Sequence, residues 1–201
     1  MDPVQTTVEE YPARAIAGML DSIDGHFVST GLAEVAVNAG LVVVPGTDAA
    51  QIKRPVSAAN LATAFLNAAG GIVVHVHRGA AGDAYLYPVS EAVNVLRKGR
   101  IWAKTETALA KGAHPYVRFT AAGAEELGAL RNDADTSDAV QVPWIVVLEA
   151  ATVAGPVLVE INLPYPDVNA EITIGATAPT TGASLEFNST SGRWEPAVDN
   201  T

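Results

Sequence analysis

The sequence predicts a mainly β protein, with a β-barrel or β-tulip-like core, one or two short helices and a small C-terminal β appendage. Three observations favour this fold class. Apolar runs are short and end at glycine, proline or aspartate, which is typical of strands. Only one stretch has its apolar residues at clear helical spacing. After Leu163, the sequence Pro164-Tyr165-Pro166 forms a stiff hinge into a tail rich in Thr, Ala and Gly.

These shifts in composition divide the chain into three parts. We expect an extended N-terminal arm at residues 1–11, a β-rich core at residues 12–163 and an appendage at residues 164–201. The arm is polar and has no apolar period, which by itself predicts a frayed terminus.

The first half of the core is predicted to hold four strands and the clearest helix of the chain. Ser57 is the candidate N-cap of this helix, Ser57–Ala68, and the pair Gly70-Gly71 lies beyond its end. Leu61, Ala64 and Phe65 recur within it at helical spacing. The four predicted strands are Pro12–Leu20, Phe27–Val35, Ala39–Pro45 and Gly71–Arg78.

The centre of the chain begins with a predicted β-hairpin. The apolar run Ala92–Leu96 forms its first strand, and Arg100–Lys104 alternates in polarity as a half-buried strand does. Ile101 and Ala103 share one face of that second strand, whereas Arg100, Trp102 and Lys104 share the other. The turn is predicted at Arg97-Lys98-Gly99, because glycine accepts the positive φ of a tight turn.

A short crossing at Thr105–Lys111 follows and is too brief for a stable helix. A turn at Gly112 then leads to a third central strand, Pro115–Phe119. Beyond it we expect a short helix at Ala121–Leu130 and an acidic turn at Asn132–Asp138. The remaining predicted strands are Val140–Glu149 and Pro156–Leu163 in the core, and Glu171–Ile174, Ser184–Phe187 and Arg193–Pro196 in the appendage.

Composition narrows the class of protein. Charged residues make up only 17% of the chain, below the roughly 25% typical of soluble domains, which suits a protein that meets others over much of its area. The absence of cysteine excludes disulfides and thiolate metal sites. No signal peptide follows Met1. The apolar stretch Val142–Ile161 contains two glutamates and two prolines, so we interpret it as two strands and not as a membrane span.

The net charge of −10 is unevenly distributed. Residues 1–118 hold 10 basic and 10 acidic side chains, whereas residues 119–201 hold 2 basic and 12 acidic ones. Six of the basic residues fall within the central stretch 95–119, against the single acid Glu106: Arg97, Lys98, Arg100, Lys104, Lys111 and Arg118. Two interpretations stay open, a basic patch that docks on an acidic partner and solvated charges that protect strand edges from aggregation. Direct binding to nucleic acid is not expected, since the acidic remainder would repel phosphate.

The tryptophans are candidate interface anchors, because tryptophan is enriched at binding hot spots. Trp102, on the polar face beside Arg100 and Lys104, is the strongest case, whereas Trp144 lies in an apolar run and is expected in the core. The candidate partner-contact residues are Arg97, Lys98, Arg100, Trp102, Lys104, Glu9 and Tyr11.

Patterns that would support catalysis are weak. His75 and His77 would share a strand face, but no third ligand lies nearby in sequence. The turn at Asp133–Asp138 resembles the start of a calcium loop, yet Asp138 stands where that loop requires glycine. Neither a nucleophile elbow nor a phosphate-binding glycine loop is present. We therefore predict no catalytic residues, no metal site and no cofactor.

The central segments R-K-G-R-I-W and A-K-G-x-x-x-Y-V-R, at Arg97–Trp102 and Ala110–Arg118, resemble the central barrel segment of the capsid structural cement, or head decoration, proteins of tailed bacteriophages. The resemblance extends over roughly residues 10–164 through the order of its ordinary segments. It takes in the opening Ala13–Ala17, the strand Ala39–Gly46, Leu127–Arg131 and the closing Pro156–Leu163.

The resemblance implies a virion protein made in the bacterial host cytoplasm and bound to the outer capsid surface. Its partners would be the major capsid protein and copies of itself, as a homotrimer at threefold or quasi-threefold axes, with no direct contact to nucleic acid or membrane. In such proteins the N-terminal arm can add a strand to the capsid shell. Two alternatives are a tail- or fibre-associated β module and, less favoured, a metal-dependent hydrolase using His75, His77 and Asp133–Asp138.

Overall fold

A computed structural model of the chain describes residues 15–21, 25–66, 70–76, 86–121, 123 and 125–163, together with the backbone of residues 185–188 and 193–196. The chain divides into two compact units, residues 1–164 and residues 165–201. No described helix is long and apolar enough to cross a membrane.

The first unit is built from short strands. In chain order its elements are β1 Phe27–Ala33, β2 Val37–Asn38, β3 Val42–Pro45, β4 Gln51–Lys53, α1 Ala58–Leu66, β5 Gly71–Val73, β6 Leu86–Tyr87, β7 Ala92–Thr105, β8 Tyr116–Arg118, β9 Leu130–Arg131, a 3-10 turn Asp135–Ser137, β10 Ala139–Gln141, β11 Ile145–Val147 and β12 Gly155–Asn162. The second unit contains the antiparallel pair β13 Leu185–Asn188 and β14 Arg193–Pro196. The predicted strand at Glu171–Ile174 lies outside the described residues.

Five strands close into a barrel, which confirms the predicted fold class. The hydrogen-bonded order is β1, β4, β3, β5 and β7, and β7 pairs again with β1. Side chains from these strands fill the interior, among them Val43, Ile52, Val73 and Val95, and the short pair β2–β6 adds Val37 and Tyr87 to the same cluster.

The remaining strands extend from the second half of β7. On one side β12 pairs with β7 and β11 with β12; on the other β9 pairs with β7, β8 with β9 and β10 with β8. Backbone bonds from Gly112 N to Val147 O (2.7 Å) and from Val147 N to Ala113 O (3.0 Å) join β11 to the segment before β8. A second apolar core lies within this part and reaches Leu61 and Ala64 of α1.

Strand β7 contributes side chains to both cores, and a β-bulge lets the two halves of the strand face different cores. Its first half pairs with β1 and β5, its second half with β12. The register with β1 slips by one residue at Arg97, because Phe27 faces Lys98 while Val28 faces Leu96. Since strand faces alternate, one extra residue exchanges them. Val95 therefore points into the barrel, whereas Ile101, an even number of residues further on, points into the second core.

The predicted hairpin at Arg97-Lys98-Gly99 is wrong. Gly99 does take a positive φ, +127°, but it bends a continuous strand and does not reverse the chain. The physical reason is that each half of β7 finds a different partner strand, so neither half needs the other.

Several other predicted elements are confirmed. Helix α1 begins after Ser57, whose Oγ accepts a hydrogen bond from Asn60 N at 3.2 Å as an N-cap should. Strands β1, β3 and β8 fall within their predicted segments, and β12 begins and ends one residue earlier than predicted. Trp144 lies in the core, 5% exposed. Strand β5 is shorter than expected and ends at Val73.

Three further predictions are wrong. In the described part of Pro12–Leu20 the chain turns at Gly18 (φ +85°), and only Leu20 forms a bridge, to Ile101. The described residues of Ala121–Leu130 form turns and loops up to the start of β9 at Leu130, and not a helix, because Gly123 and Gly128 both have positive φ. The predicted strand Val140–Glu149 is divided at Pro143, which has no N–H to continue the pairing, into β10 on β8 and β11 on β12.

Candidate partner-contact surface

The predicted contact residues on β7 lie at its bulge or beyond it along the strand. Glu9 and Tyr11 lie outside the described residues. We call Arg97, Lys98 and Arg100 the bulge cluster. Lys98 and Arg100 are exposed and Arg97 is half-buried. Burial lowers the pKa of the Arg97 guanidinium from its ordinary value. This part of the predicted basic patch is present at the surface.

Arg100 faces Glu160 across the β7–β12 pair. Its Nε lies 3.5 Å from Glu160 Oε2, and the two side chains are 54% and 45% exposed. Exposed ion pairs of this kind contribute little to stability because water competes for both charges. The guanidinium of Arg100 is therefore accessible to an incoming carboxylate.

Trp102 does not provide the exposed anchor that the sequence predicts. It shares a face with Arg100 and Lys104, but it is only 8% exposed and packs with Ala15 and Leu158. The segment before β1 covers it, since Trp102 N donates to Met19 O at 2.9 Å and Gly18 N donates to Trp102 O at 2.6 Å. An alternating pattern could not reveal that cover, because it comes from a distant part of the chain.

Lys104 is also largely neutralised. Its Nζ lies 2.7 Å from Glu126 Oε2, and Glu126 Oε1 accepts a hydrogen bond from Asn38 Nδ2 at 2.9 Å. This pair stands beside a cleft of about 380 Å³ that is walled mainly by small apolar residues, including Ala15, Ala39 and Pro156. Lys104 is therefore paired with Glu126 of its own chain, with its side chain 41% exposed, and does not belong to the bulge cluster.

Arg118 departs furthest from the predicted basic patch, because it is fully buried, at 0% exposure. Its Nε donates to Glu106 Oε1 at 3.0 Å and Oε2 at 2.9 Å, and its Nη2 donates to Asp135 Oδ2 at 2.6 Å. Nη1 reaches Thr120 O at 3.1 Å, and Glu125 also pairs with the guanidinium. Every nitrogen of the guanidinium thus meets an acceptor, as burial of a charge requires.

Arg131 on β9 completes an arginine network, which comprises Arg118 and Arg131 with Glu106, Glu125, Asp133 and Asp135. Arg131 Nη1 lies 2.6 Å from Asp135 Oδ2, and Nη2 lies 2.8 Å from Asp133 Oδ1. The hydrogen bond from Arg118, helped by the charge of Arg131, holds the pKa of Asp135 below its ordinary value. Burial opposes the charge on Arg118, but its bonds to Asp135 and Glu106 outweigh that effect and raise its pKa.

The network also accounts for residues that the sequence suggested as metal ligands. Asp133 and Asp135 hold guanidinium groups, and His77 lies outside the described residues. Within the described part of the chain, no three His, Asp or Glu side chains form a group that could bind a metal ion. The one signal for the network in the sequence is a pair of arginines in short apolar segments, each followed by acidic residues.

A family model described as structural cement protein (E217 gp24/Pam3 gp6) matches residues 4–163, the length of the first unit. The chain belongs to the structural cement protein family. This cement protein is therefore a structural component of the phage capsid, and the resemblance seen in its sequence is confirmed.

A solved structure shares the fold. The match is to a chain of the capsid of Myoviridae phage XM1, with a TM-score of 0.58 and 20% sequence identity, covering 81% of this cement protein and 98% of that chain. No curated protein sequence matches.

Proposed function

We propose that this cement protein binds the outer surface of the expanded capsid and bridges neighbouring subunits of the major capsid protein. It does so as a homotrimer at threefold or quasi-threefold axes, and it needs neither cofactor nor catalysis. The observation that carries the proposal is the family match, which spans residues 4–163. The structural support is a unit with two apolar cores, on whose surface the cations Lys98 and Arg100 are exposed.

The mechanism is mechanical. A molecule that binds two capsid subunits only in their expanded arrangement stabilises that arrangement by linkage, in proportion to the logarithm of its concentration over its dissociation constant. Because the same contact repeats over the whole lattice, a modest contribution at each junction opposes the pressure of packed DNA.

Within this role, the bulge cluster makes the electrostatic contact with the capsid. Lys98 and Arg100 are exposed cations, so at short range they attract an acidic patch despite the chain's net charge of −10, and Glu160 competes only weakly for Arg100. The arm at residues 1–11, with Glu9 and Tyr11, adds a further contact, and the core at 12–163 binds without the appendage at 164–201.

The test is a charge reversal. The double variant Lys98→Glu with Arg100→Glu should weaken sedimentation with expanded shells of the major capsid protein by about tenfold or more, equivalent to about 1.4 kcal/mol. The matched control is Lys111→Glu, which alters an exposed lysine at a turn away from the bulge. Thermal unfolding should be the same for the variants and wild type.

If the double variant binds shells as tightly as wild type does, the bulge cluster is not part of the interface. Quantitative mass spectrometry of purified particles tests the wider role, because a lattice-covering cement should approach one copy per major capsid protein. Deleting residues 164–201 should leave shell binding unchanged. A loss of binding would assign the contact to the appendage.

A further inference from the structure

A groove begins at Lys104, beyond the bulge cluster along β7. Its first part is the cleft of about 380 Å³ described above, and its second part is a cleft of about 440 Å³. The two parts adjoin, because both are lined by Lys104, Glu126 and Gly155. Small residues wall the first part, among them Ala17 and Ala39, so the groove has room for a side chain of an incoming segment.

The second part of the groove carries negative charge that its surroundings do not balance. Glu125 and Glu126 line it and are 39% and 27% exposed, with Lys104 as the single cation among its described lining residues. Lys104 offsets Glu126. Glu125 belongs to the arginine network, in which four carboxylates share two cations. A further cation arriving from solvent is therefore attracted to Glu125.

The groove and the bulge cluster lie on the same face of β7. Arg100 and Lys104 are four residues apart on the strand, which corresponds to about 13 Å. Between them Trp102 is covered by the segment at 15–19. A partner seated on the bulge cluster thus reaches the groove within a short extended stretch of its own chain.

We propose that the groove binds a lysine or arginine side chain of the major capsid protein, on the same segment that presents an acidic side chain to the bulge cluster. The acid pairs with Lys98 or Arg100, and the base enters the groove and pairs with Glu125. The two charges of the segment lie at least about 13 Å apart, since that is the span from Arg100 to the start of the groove. The inference rests on the proposed function, which supplies the partner, and it adds the charge pattern that this partner carries.

Charge disfavours the chain's own terminal segments as the occupant. Residues 1–14 lead to Ala15, which walls the groove, so they start closest to it. They hold three acidic residues and one basic residue, however, and residues 164–201 hold five acidic residues and one basic residue. A groove with excess negative charge selects against such segments and in favour of a basic one.

Two variants with matched controls test the groove in the full chain. Glu125→Gln removes the unbalanced carboxylate, and Asp133→Asn removes another carboxylate of the arginine network that does not line the groove. Ala154→Lys places a cation in the groove without altering the network. Val153→Lys places one at the neighbouring position, which is exposed and lies outside the groove.

The measurement is co-sedimentation with expanded shells assembled from the major capsid protein alone. Glu125→Gln and Ala154→Lys should each lower binding about tenfold, and the two controls should stay within about twofold of wild type. Thermal unfolding checks that each variant folds, and the lysine pair decides the result if Glu125→Gln is destabilised. Unchanged binding of Ala154→Lys would overturn this inference and leave the proposed function standing. A wild type that does not bind shells would overturn both.

A photo-crosslinker at position 154 identifies the occupant directly. The expected product is a major capsid protein peptide that contains a lysine or arginine, with an acidic residue four or more positions away. A capsid peptide without a basic residue would overturn the proposal. So would a crosslink to a second copy or to the chain's own arm or appendage, since each would be a different occupant.

Discussion

The bulge cluster and the arginine network come from one basic stretch of sequence, yet they have opposite surroundings. In the bulge cluster, the Arg100 side chain is 54% exposed and pairs with Glu160 at 3.5 Å. In the arginine network, the Arg118 side chain is 0% exposed and meets three carboxylates. One region keeps its positive charge available to a partner, and the other uses it to hold loops together.

The difference shows that a local count of charges does not define a binding patch. Residues 95–119 contain one acid, but the folded chain brings Glu125, Glu126, Asp135 and Glu160 against them from elsewhere. Lys98 and Arg100, where β7 changes faces, keep their charges exposed to solvent. The basic patch is therefore smaller than its sequence suggests, and its position is set by the bulge.

Breaking the arginine network should have the largest effect. Arg118→Ala leaves Glu106, whose side chain is 10% exposed, buried without its principal cation. Removing one partner of a buried pair typically costs about 3–5 kcal/mol of unfolding free energy. Urea denaturation would measure it. The control Arg100→Ala, which breaks an exposed pair, should cost less than about 1 kcal/mol.

Equal losses in these two variants would contradict the contrast between the regions. Such a result would mean that water enters the arginine network and screens Glu106 when Arg118 is removed.

Straining β7 two residues beyond its bulge should have an intermediate effect. Gly99→Ala places a Cβ on a backbone with φ +127°, where it would clash with the ring of His26. Strained backbone of this kind costs about 1–3 kcal/mol, and the clash adds to it. Thermal unfolding should therefore show a lower melting temperature. Shell binding should weaken as well, because the bulge orients Lys98 and Arg100.

Gly112→Ala is the matched control, since Gly112 has φ +79° and an added Cβ would meet no described atom within 4 Å. It should show the backbone strain alone, about 1–2 kcal/mol, with shell binding intact. If Gly99→Ala is no worse than Gly112→Ala, His26 moves aside freely and the β7 backbone at Gly99 is not sterically fixed.

Lowering the pH should have the smallest effect on unfolding free energy, and this effect should come from the arginine network and not from the bulge cluster. The pKa of Asp135 is lowered in the folded state, mainly by its hydrogen bond from Arg118. Its stabilising contribution is thus complete above the ordinary aspartate pKa of about 3.9 and is lost as pH falls towards the folded value. Between about pH 5 and pH 3, Asp135→Asn should lose less unfolding free energy than wild type. A parallel slope for Asp135→Asn would show that other groups carry the acid sensitivity.

Local signals in the sequence correctly predicted the elements whose formation depends mainly on their own residues. Ser57 capped α1, the apolar run ahead of Leu163 formed β12, and Gly112 took the positive φ of a turn. They failed where one segment served two partners. The positive φ of Gly99 allowed either a turn or a continuous strand, and the choice between them depended on β1, β5 and β12.

The sequence by itself determined the β-rich class, the helix, the closing strand and the family, because these depend on periodicity, caps and segment order. The tertiary structure decided which cations remain at the surface. Arg118 and Trp102 are covered by segments distant in sequence, as Arg118 meets Asp135 and Trp102 meets Ala15. Burial is a property of the whole packed chain, and alternation along one strand cannot report what lies against its outer face.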